Sequence, residues 1–288
     1  MYLDASELAE PVPGVESFVD TADGTRLRTL VAGEGPAVVF AHGYGADLSE
    51  WHLVARRLVA QGRRVVLFDQ RGHGASTIGS QGITSAAMAS DYLAVLEHHA
   101  VEQAVLVGHS MGGFLALRFM LLNPAAARRR VAHAILLATF AGRVNEGAPQ
   151  NRLQIPLIRS GLMSWLVGFP ALGRAFTRSL VGLGYTDAMA EVFIPVFRAA
   201  NHRALWPILE AFGAEDHYPA LRELQVPCTV MVGDRDRTSP AFHAQTMAKL
   251  IPGATLRTLP GVGHFANWEA ADTLAETALA LTGGKAAA

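Results

Sequence analysis

A serine flanked by glycines lies where an apolar strand should give way to an apolar helix. Ser110 is the centre of Gly108-His109-Ser110-Met111-Gly112, which follows the apolar run 104–107 and precedes the apolar segment 113–122. In this setting G-x-S-x-G is typical of a nucleophile elbow, a sharp turn that exposes the serine hydroxyl. Glycines two residues before and after the serine relieve the crowding at such a turn. The pattern makes Ser110 a candidate nucleophile.

A serine nucleophile needs a base, and the base needs a group that orients it. His264 follows the strand-like run 255–259, and two acids, Asp234 and Asp236, follow another at 228–232. A histidine can take the serine proton and return it to the leaving group, and a buried carboxylate fixes the histidine tautomer. The chain supplies a serine, an acid and a histidine in that order, with either aspartate available as the acid.

These residues follow strands that alternate with helices. Short apolar runs typical of buried parallel strands occur at 37–40, 65–68, 104–107, 134–137 and 228–232. Such alternation predicts an α/β fold with a mostly parallel central sheet and helices on both faces. Ligands bind at the carboxyl ends of the strands in these sheets, so the candidate residues should converge there.

Residues 144–212 interrupt this alternation. They contain no strand-like run and many large apolar residues at helical spacing. We therefore predict a helical cap insertion at 144–212 between two parts of an α/β core, 1–143 and 213–288. A cap over the strand ends would line the substrate pocket with some of its apolar side chains. The candidate pocket residues are Trp165, Phe169 and Phe197 from the cap, and Phe265 beside His264.

Taken together, the motifs resemble the α/β-hydrolase superfamily, in its capped serine esterase and lipase-like branch. The resemblance rests on His42-Gly43-Tyr44-Gly45, Asp69-Gln70-Arg71-Gly72-His73-Gly74, the elbow, residues 233–240 and Gly263-His264. It covers nearly the whole chain, and the cap matches least. The order serine, acid, histidine is the one that the family uses.

The resemblance also implies roles for individual residues. The family pattern of Gly, two residues, Asp, three residues and Pro fits Gly233, Asp236 and Pro240, which assigns Asp236 rather than Asp234 as the acid. The oxyanion hole would consist of the backbone N–H group of Met111, which follows the nucleophile, and that of Tyr44, which follows His-Gly. The catalytic triad would then be Ser110, Asp236 and His264.

The expected activity is a cofactor-free hydrolysis of carboxylic esters through an acyl-enzyme, on a lipophilic small-molecule substrate. Some relatives with the same triad cleave C–C bonds of ring-cleavage products, and others act as haloperoxidases or perhydrolases, so both remain alternatives. A ligand receptor on the same fold is an alternative from another class. Dehalogenase and epoxide-hydrolase relatives carry aspartate at the elbow, and Ser110 argues against both.

Composition narrows the other classes of function. The chain has 288 residues, half of them hydrophobic, and a net charge of −1, which argues against a nucleic-acid partner. The run Arg128-Arg129-Arg130 is predicted to be a solvated turn. No HExxH motif, CxxC motif or carboxylate cluster is present, so we expect no metal site. The resemblance to serine hydrolases implies that no cofactor is needed. His42 and His73, both flanked by glycine motifs, are predicted to be structural.

The single cysteine, Cys228, cannot form an intrachain disulfide, and a reduced cytoplasmic location is the simplest interpretation. The most apolar stretch, 157–172, is interrupted by Arg159 and Pro170 and is too short to span a membrane. The expected partner is a small-molecule ester, and the expected assembly is a monomer or a homodimer.

Overall fold

The computed structural model describes residues 4–146, 148 and 150–283, and its centre is an eight-stranded sheet. The strands are β1 Val15–Asp20, β2 Arg26–Ala32, β3 Ala37–Ala41, β4 Arg64–Phe68, β5 Ala104–His109, β6 Val131–Leu137, β7 Cys228–Gly233 and β8 Thr255–Leu259. Their spatial order is β1-β2-β4-β3-β5-β6-β7-β8. The six strands from β4 to β8 in this order are mutually parallel, while β1 and β2 pair antiparallel at one edge.

Helices connect the strands. They are α1 Ala5–Ala9, α2 His52–Ala60, α3 Ser85–His98, α4 Met111–Leu122, α5 Pro124–Arg130, α6 Asn151–Arg159, α7 Leu162–Leu166, α8 Pro170–Leu180, α9 Asp187–Ala199, α10 Trp206–Ala214, α11 Ala241–Leu250, α12 Ala266–Glu269 and α13 Ala271–Thr282. Two short 3-10 helices span Leu48–Trp51 and Tyr218–Glu223.

The central strands are buried on both faces because alternate side chains enter two separate cores. Val39 and Leu106 belong to the core that includes α3, α4 and α11, whereas Val38 and Val105 belong to the core that includes α2 and α13. Such two-sided burial explains why these strands are continuous apolar runs in the sequence. The predicted fold class, a mostly parallel sheet with helices on both faces, is confirmed.

Two features differ from the sequence-based expectations. Strand β1 is not predicted, because its sequence has no apolar run. Val19 is its only buried residue, and the strand is defined by its antiparallel pairing with β2. The arginine run is not a solvated turn: it ends helix α5, and Arg130 is buried. The Arg130 guanidinium donates hydrogen bonds to the carbonyl oxygens of Leu96 and Val101, at 3.3 and 3.0 Å. A buried guanidinium is stable only when such acceptors satisfy it.

Helices α6 to α9 lie within the segment predicted as a cap, and α10 begins in it but ends two residues beyond it, at Ala214. An isolated antiparallel bridge between Gly142 and Asp216 joins the points where this segment leaves and rejoins the rest of the chain. The limits 1–143, 144–212 and 213–288 stay a prediction. Residues 1–3, 147, 149 and 284–288 of these units lie outside the described residues.

Candidate active site

Ser110 occupies a strained turn between β5 and α4. Its backbone has φ +50° and ψ −116°, a conformation that residues other than glycine rarely adopt. A Cβ atom at Gly108 would lie 2.6 Å from the carbonyl oxygen of Gly112, and one at Gly112 would overlap the carbonyl oxygen of Ala41. The two glycines are therefore required by close backbone contact, and the turn leaves the serine hydroxyl at the carboxyl end of β5.

The structure brings Ser110, His264 and Asp236 into one hydrogen-bonded chain. The Ser110 hydroxyl oxygen lies 3.0 Å from Nε2 of His264, and Nδ1 of His264 lies 2.9 Å from Oδ2 of Asp236. All three side chains are buried. They come from the loops after β5, β8 and β7, so three distant parts of the sequence meet at the same edge of the sheet.

Local donors hold Asp236 in its ionised form. Its Oδ1 accepts the backbone N–H groups of Thr238 and Ser239, at 2.8 and 3.0 Å, and the Ser239 hydroxyl lies 2.7 Å from Oδ2. Burial alone would raise the pKa of Asp236, but the facing His264 and these donors hold it below its ordinary value. Asp234 points elsewhere: it accepts the Gly261 N–H at 2.8 Å and does not contact His264.

The two expected oxyanion donors flank Ser110. Met111 begins helix α4, and Tyr44 lies in the loop after β3 and lines the same cavity as Ser110. Within the described part of the chain, neither backbone N–H donates a hydrogen bond to another group. Both donors are therefore free to bind a developing negative charge, and the helix dipole of α4 favours it.

An apolar cavity opens beside Ser110 and His264. The lining side chains are mostly aromatic or aliphatic: Tyr44, Phe140, Val144, Ile155, Ile158, Phe176, Leu180, Phe193, Phe197, Leu209, Phe212 and Phe265. Phe197 and Phe265 thus lie where the sequence analysis expected them. Polar side chains also contribute to the wall, namely Glu50, His109, Asn151, Gln154 and Thr238.

Trp165 and Phe169 do not line this cavity, which corrects the sequence-based expectation. They are 60% and 48% exposed and pack edge to face with their ring centroids 5.0 Å apart. Helical spacing groups them with the buried residues of the segment but does not tell which face of each helix turns inward.

The other histidines near the site have bonds of their own. Nδ1 of His42 donates to the carbonyl oxygen of Gly43 at 2.7 Å, while its Nε2 accepts the Gln70 N–H at 2.9 Å, as its predicted structural role requires. His109 turns away from Ser110 and lies between the Glu50 carboxylate and the carbonyl oxygen of His264.

The described ranges hold no group of three or more His, Cys, Asp or Glu side chains that could bind a metal ion. The Cys228 thiol is buried in β7, and burial raises its pKa to about 12. It therefore stays protonated and is a poor nucleophile. Among the helices of residues 4–146 and 150–283, none has the length and apolar character that crossing a membrane requires.

Comparison with known proteins agrees with this architecture. The family described as alpha/beta hydrolase matches residues 38–277, which is most of the chain. The chain belongs to the alpha/beta hydrolase family. A non-heme haloperoxidase from Rhodococcus erythropolis is 29% identical over 269 residues, which covers 89% of this hydrolase and 96% of the relative.

Solved structures of other hydrolases superpose over nearly the whole chain. An esterase from Exiguobacterium antarcticum has a TM-score of 0.82 at 23% identity, covering 94% of this chain and 100% of the esterase. A hydrolase from Pseudomonas aeruginosa has a TM-score of 0.76 at 27% identity, covering 94% and 99%. At 23% identity, the similarity to the Exiguobacterium esterase establishes the shared fold only.

Sequence reasoning missed two residues of the site in this hydrolase. The hydroxyl and the backbone N–H of Ser239 both bind the Asp236 carboxylate. Ser239 follows Asp236 by three residues, a spacing at which an aspartate side chain often binds the backbone of its own turn. Glu50 accepts hydrogen bonds from His109 and Gly43, but it lies in no motif and its partners are distant in sequence. Of the two residues, only Ser239 could have been found from the sequence, through its spacing of three residues from Asp236.

Proposed function

We propose that this protein is a serine hydrolase that cleaves carboxylic esters through an acyl-enzyme on Ser110, with His264 as the base and Asp236 as the group that orients it. The observation that supports this most directly is the continuous chain of 3.0 and 2.9 Å contacts from the Ser110 hydroxyl through His264 to Asp236. The same constellation performs acyl transfer on several unrelated folds.

Acylation begins when the Ser110 oxygen attacks the ester carbonyl carbon. Nε2 of His264 takes the hydroxyl proton, and the carbonyl electron pair moves onto oxygen, where the N–H groups of Tyr44 and Met111 bind it. When the tetrahedral intermediate collapses, the bond to the alcohol oxygen breaks. His264 gives its proton to the departing alkoxide, and the acyl group remains on Ser110.

Deacylation repeats these steps with water as the nucleophile. His264 takes a proton from water, the hydroxide attacks the acyl carbonyl, and the bond to the Ser110 oxygen breaks. The proton returns to Ser110 and the carboxylic acid leaves. The chain's own residues and water handle every proton and electron pair in this cycle.

The cavity wall favours a lipophilic substrate. Phe176, Leu180 and Phe197 come from the segment 144–212, and Phe265 comes from the loop beside His264. Burying apolar substrate surface against such side chains contributes roughly 25 cal/mol per Å². We propose that 144–212 is a cap which closes the acyl or alcohol side of the pocket.

The test is a p-nitrophenyl ester series from acetate to palmitate, with wild type and Ser110→Ala measured in parallel. Fast turnover that disappears in the variant is the expected result, and the chain-length optimum then measures the depth of the pocket. Negligible turnover by a folded wild type, or equal turnover by both proteins, would reject the proposal.

A second candidate is perhydrolysis, which the likeness to a non-heme haloperoxidase favours. Hydrogen peroxide would replace water as the nucleophile: His264 takes its proton, the hydroperoxide attacks the acyl-enzyme, and a peroxy acid leaves Ser110. The peroxy acid oxidises a halide ion to hypohalous acid and is itself reduced to the carboxylic acid.

The two activities share the acyl-enzyme and differ in the nucleophile that resolves it. Bromination of a dye in peroxide, bromide and acetate measures the second, and p-nitrophenyl acetate hydrolysis measures the first. Ser110→Ala should abolish both. Bromination that does not depend on acetate would exclude the peroxy-acid route.

A further inference from the structure

A second acid–histidine pair lies behind the proposed triad. Oε1 of Glu50 is 2.8 Å from Nδ1 of His109, and both side chains are buried. Nε2 of His109 is 3.0 Å from the carbonyl oxygen of His264. The carbonyl oxygen has no proton to give, and an ionised Glu50 carboxylate has none either.

With an ionised Glu50, this geometry requires a doubly protonated His109. A neutral imidazole has one N–H donor and one acceptor nitrogen, so it would leave one of the two contacts unmade or repulsive. The imidazolium donates to both acceptors. Burial alone would lower the pKa of His109, but the Glu50 carboxylate and the His264 carbonyl raise it above its ordinary value.

The groups around the ring are few. Glu50, His264 and Asp236 are the titratable groups that act on His109, and the ring of His264 is centred 4.9 Å away. The rings of Trp51 and Phe265 are centred 6.3 and 6.4 Å away, and His109 also lines the cavity beside Ser110. Since both side chains are almost wholly buried, the pair is only weakly screened.

Glu50 also contacts the loop that precedes the oxyanion donor. Its Oε2 accepts the backbone N–H of Gly43 at 3.2 Å, one residue before Tyr44. Its backbone carbonyl accepts side-chain N–H groups of Asn267 and Trp268, at 3.2 and 3.1 Å, from the helix after His264. One residue therefore joins the loops that carry the proposed base and the proposed oxyanion donor.

We infer that Glu50 and His109 form a buried carboxylate–imidazolium pair that positions the His264 loop and the Tyr44 loop for acyl transfer. Both are positioning residues, because they act through the His264 carbonyl and the Gly43 N–H. The catalytic consequence of this inference rests on the proposed function. The ion pair itself is inferred independently of that function. A misplacement of about 1 Å in such loops can lower a rate about 100-fold.

The first measurement is the protonation state of His109 in the wild-type protein. A long-range proton–nitrogen correlation spectrum detects the ring nitrogens, and the signal of His109 is identified by its disappearance in His109→Asn. At pH 7.5 we expect protons on both nitrogens. A neutral ring with one proton would overturn the inference, whether or not the protein hydrolyses esters.

The second measurement compares Glu50→Gln with Glu215→Gln. Glu215 is a matched control because its carboxylate also lies 2.8 Å from a histidine, His217, and its other oxygen accepts the Ser85 hydroxyl rather than a group of the triad loops. We expect Glu50→Gln to lower kcat about 10- to 100-fold with KM changed less than about 3-fold. Glu215→Gln should lower the melting temperature and leave kcat within about 2-fold.

The outcomes separate the two proposals. A wild type without ester turnover rejects the proposed function and leaves the spectrum to decide on the ion pair. An active wild type whose kcat is unchanged by Glu50→Gln overturns the positioning role while the proposed function stands. Should Glu50→Gln fail to fold, His109→Asn takes its place, with the same fall in kcat expected.

Discussion

The hydroxyl of Tyr44 donates a 2.9 Å hydrogen bond to Nδ1 of His202. The direction follows from the opposite side of the ring, where Nε2 of His202 donates to the carbonyl oxygen of Phe197 at 2.7 Å. Burial lowers the pKa of His202, which keeps the ring neutral and Nδ1 able to accept. The loop after β3 is thus tied to the helical segment over the pocket.

Tyr44→Phe should weaken this tie without removing the Tyr44 backbone N–H that we propose as an oxyanion donor. The loss of one partly buried hydrogen bond is expected to lower the free energy of unfolding by about 1 kcal/mol. We expect kcat/KM to fall several-fold, most for the longest esters, because these need the closed helical segment. Urea denaturation and the p-nitrophenyl ester series measure the two effects.

Tyr185→Phe is the matched control, since the Tyr185 hydroxyl donates to Asp187 at an exposed site. It should leave kcat/KM unchanged for every ester. If both variants lowered the activity equally, the bond between Tyr44 and His202 would have no special role.

The strained backbone of Ser110 separates activity from stability. A φ of +50° costs a residue with a side chain about 1–3 kcal/mol, and glycine avoids most of that cost. Ser110→Ala and Ser110→Gly should both lose turnover. Ser110→Gly should nevertheless be the more stable of the two by about 1 kcal/mol. Thermal unfolding of the two inactive variants tests this, and equal stabilities would mean that the turn relaxes in solution.

The choice between the two aspartates can be tested by paired amide substitutions. Asp236→Asn should lower kcat about 10⁴-fold, because an amide no longer holds the His264 tautomer that accepts the serine proton. Asp234→Asn should keep kcat within about 3-fold, since Asp234 binds the Gly261 N–H and the exposed Arg235 rather than His264. A reversal of these effects would assign the acid to Asp234.

The parts of the fold that the sequence predicted are those whose physical cause is local. Strands buried on both faces need continuous apolar runs, and the elbow needs glycine on each side of Ser110. Strand β1 has neither signal. It lies at the edge of the sheet, Val19 is its only buried residue, and it depends on hydrogen bonds to its neighbour β2. Such a strand cannot be recognised without knowing its partner.

Several residues were predicted wrongly or missed for the same reason. Arg130 belongs to a charged run that should be solvated, yet it is buried and donates hydrogen bonds to the carbonyl oxygens of Leu96 and Val101. Trp165 has the apolar character of a pocket residue, but its helix turns it outward. Glu50 acquires its position only when three loops meet. Each outcome depends on contacts between residues far apart in sequence, which no local pattern contains.

The carboxyl of Glu269 makes a prediction about the pH dependence of stability. Its two oxygens accept the N–H groups of Gly182 and Gly263, at 2.8 and 2.9 Å, which joins the loop of His264 to the helical segment. Burial raises the pKa of Glu269 to about 7. Between its unfolded value and about 7, the folded protein keeps a proton that the unfolded chain releases. Its contribution is therefore largest at low pH and is lost as the pH rises through about 7.

Comparison with Glu269→Gln, which cannot titrate, isolates this contribution. The free energy of unfolding of wild type minus that of the variant should fall by roughly 1–2 kcal/mol between pH 5 and pH 8, a value reduced for the partial exposure of the side chain. Urea denaturation at intervals of half a pH unit measures it. A difference that stays constant or increases with pH would show that the two backbone N–H groups outweigh burial and keep Glu269 ionised in the folded protein.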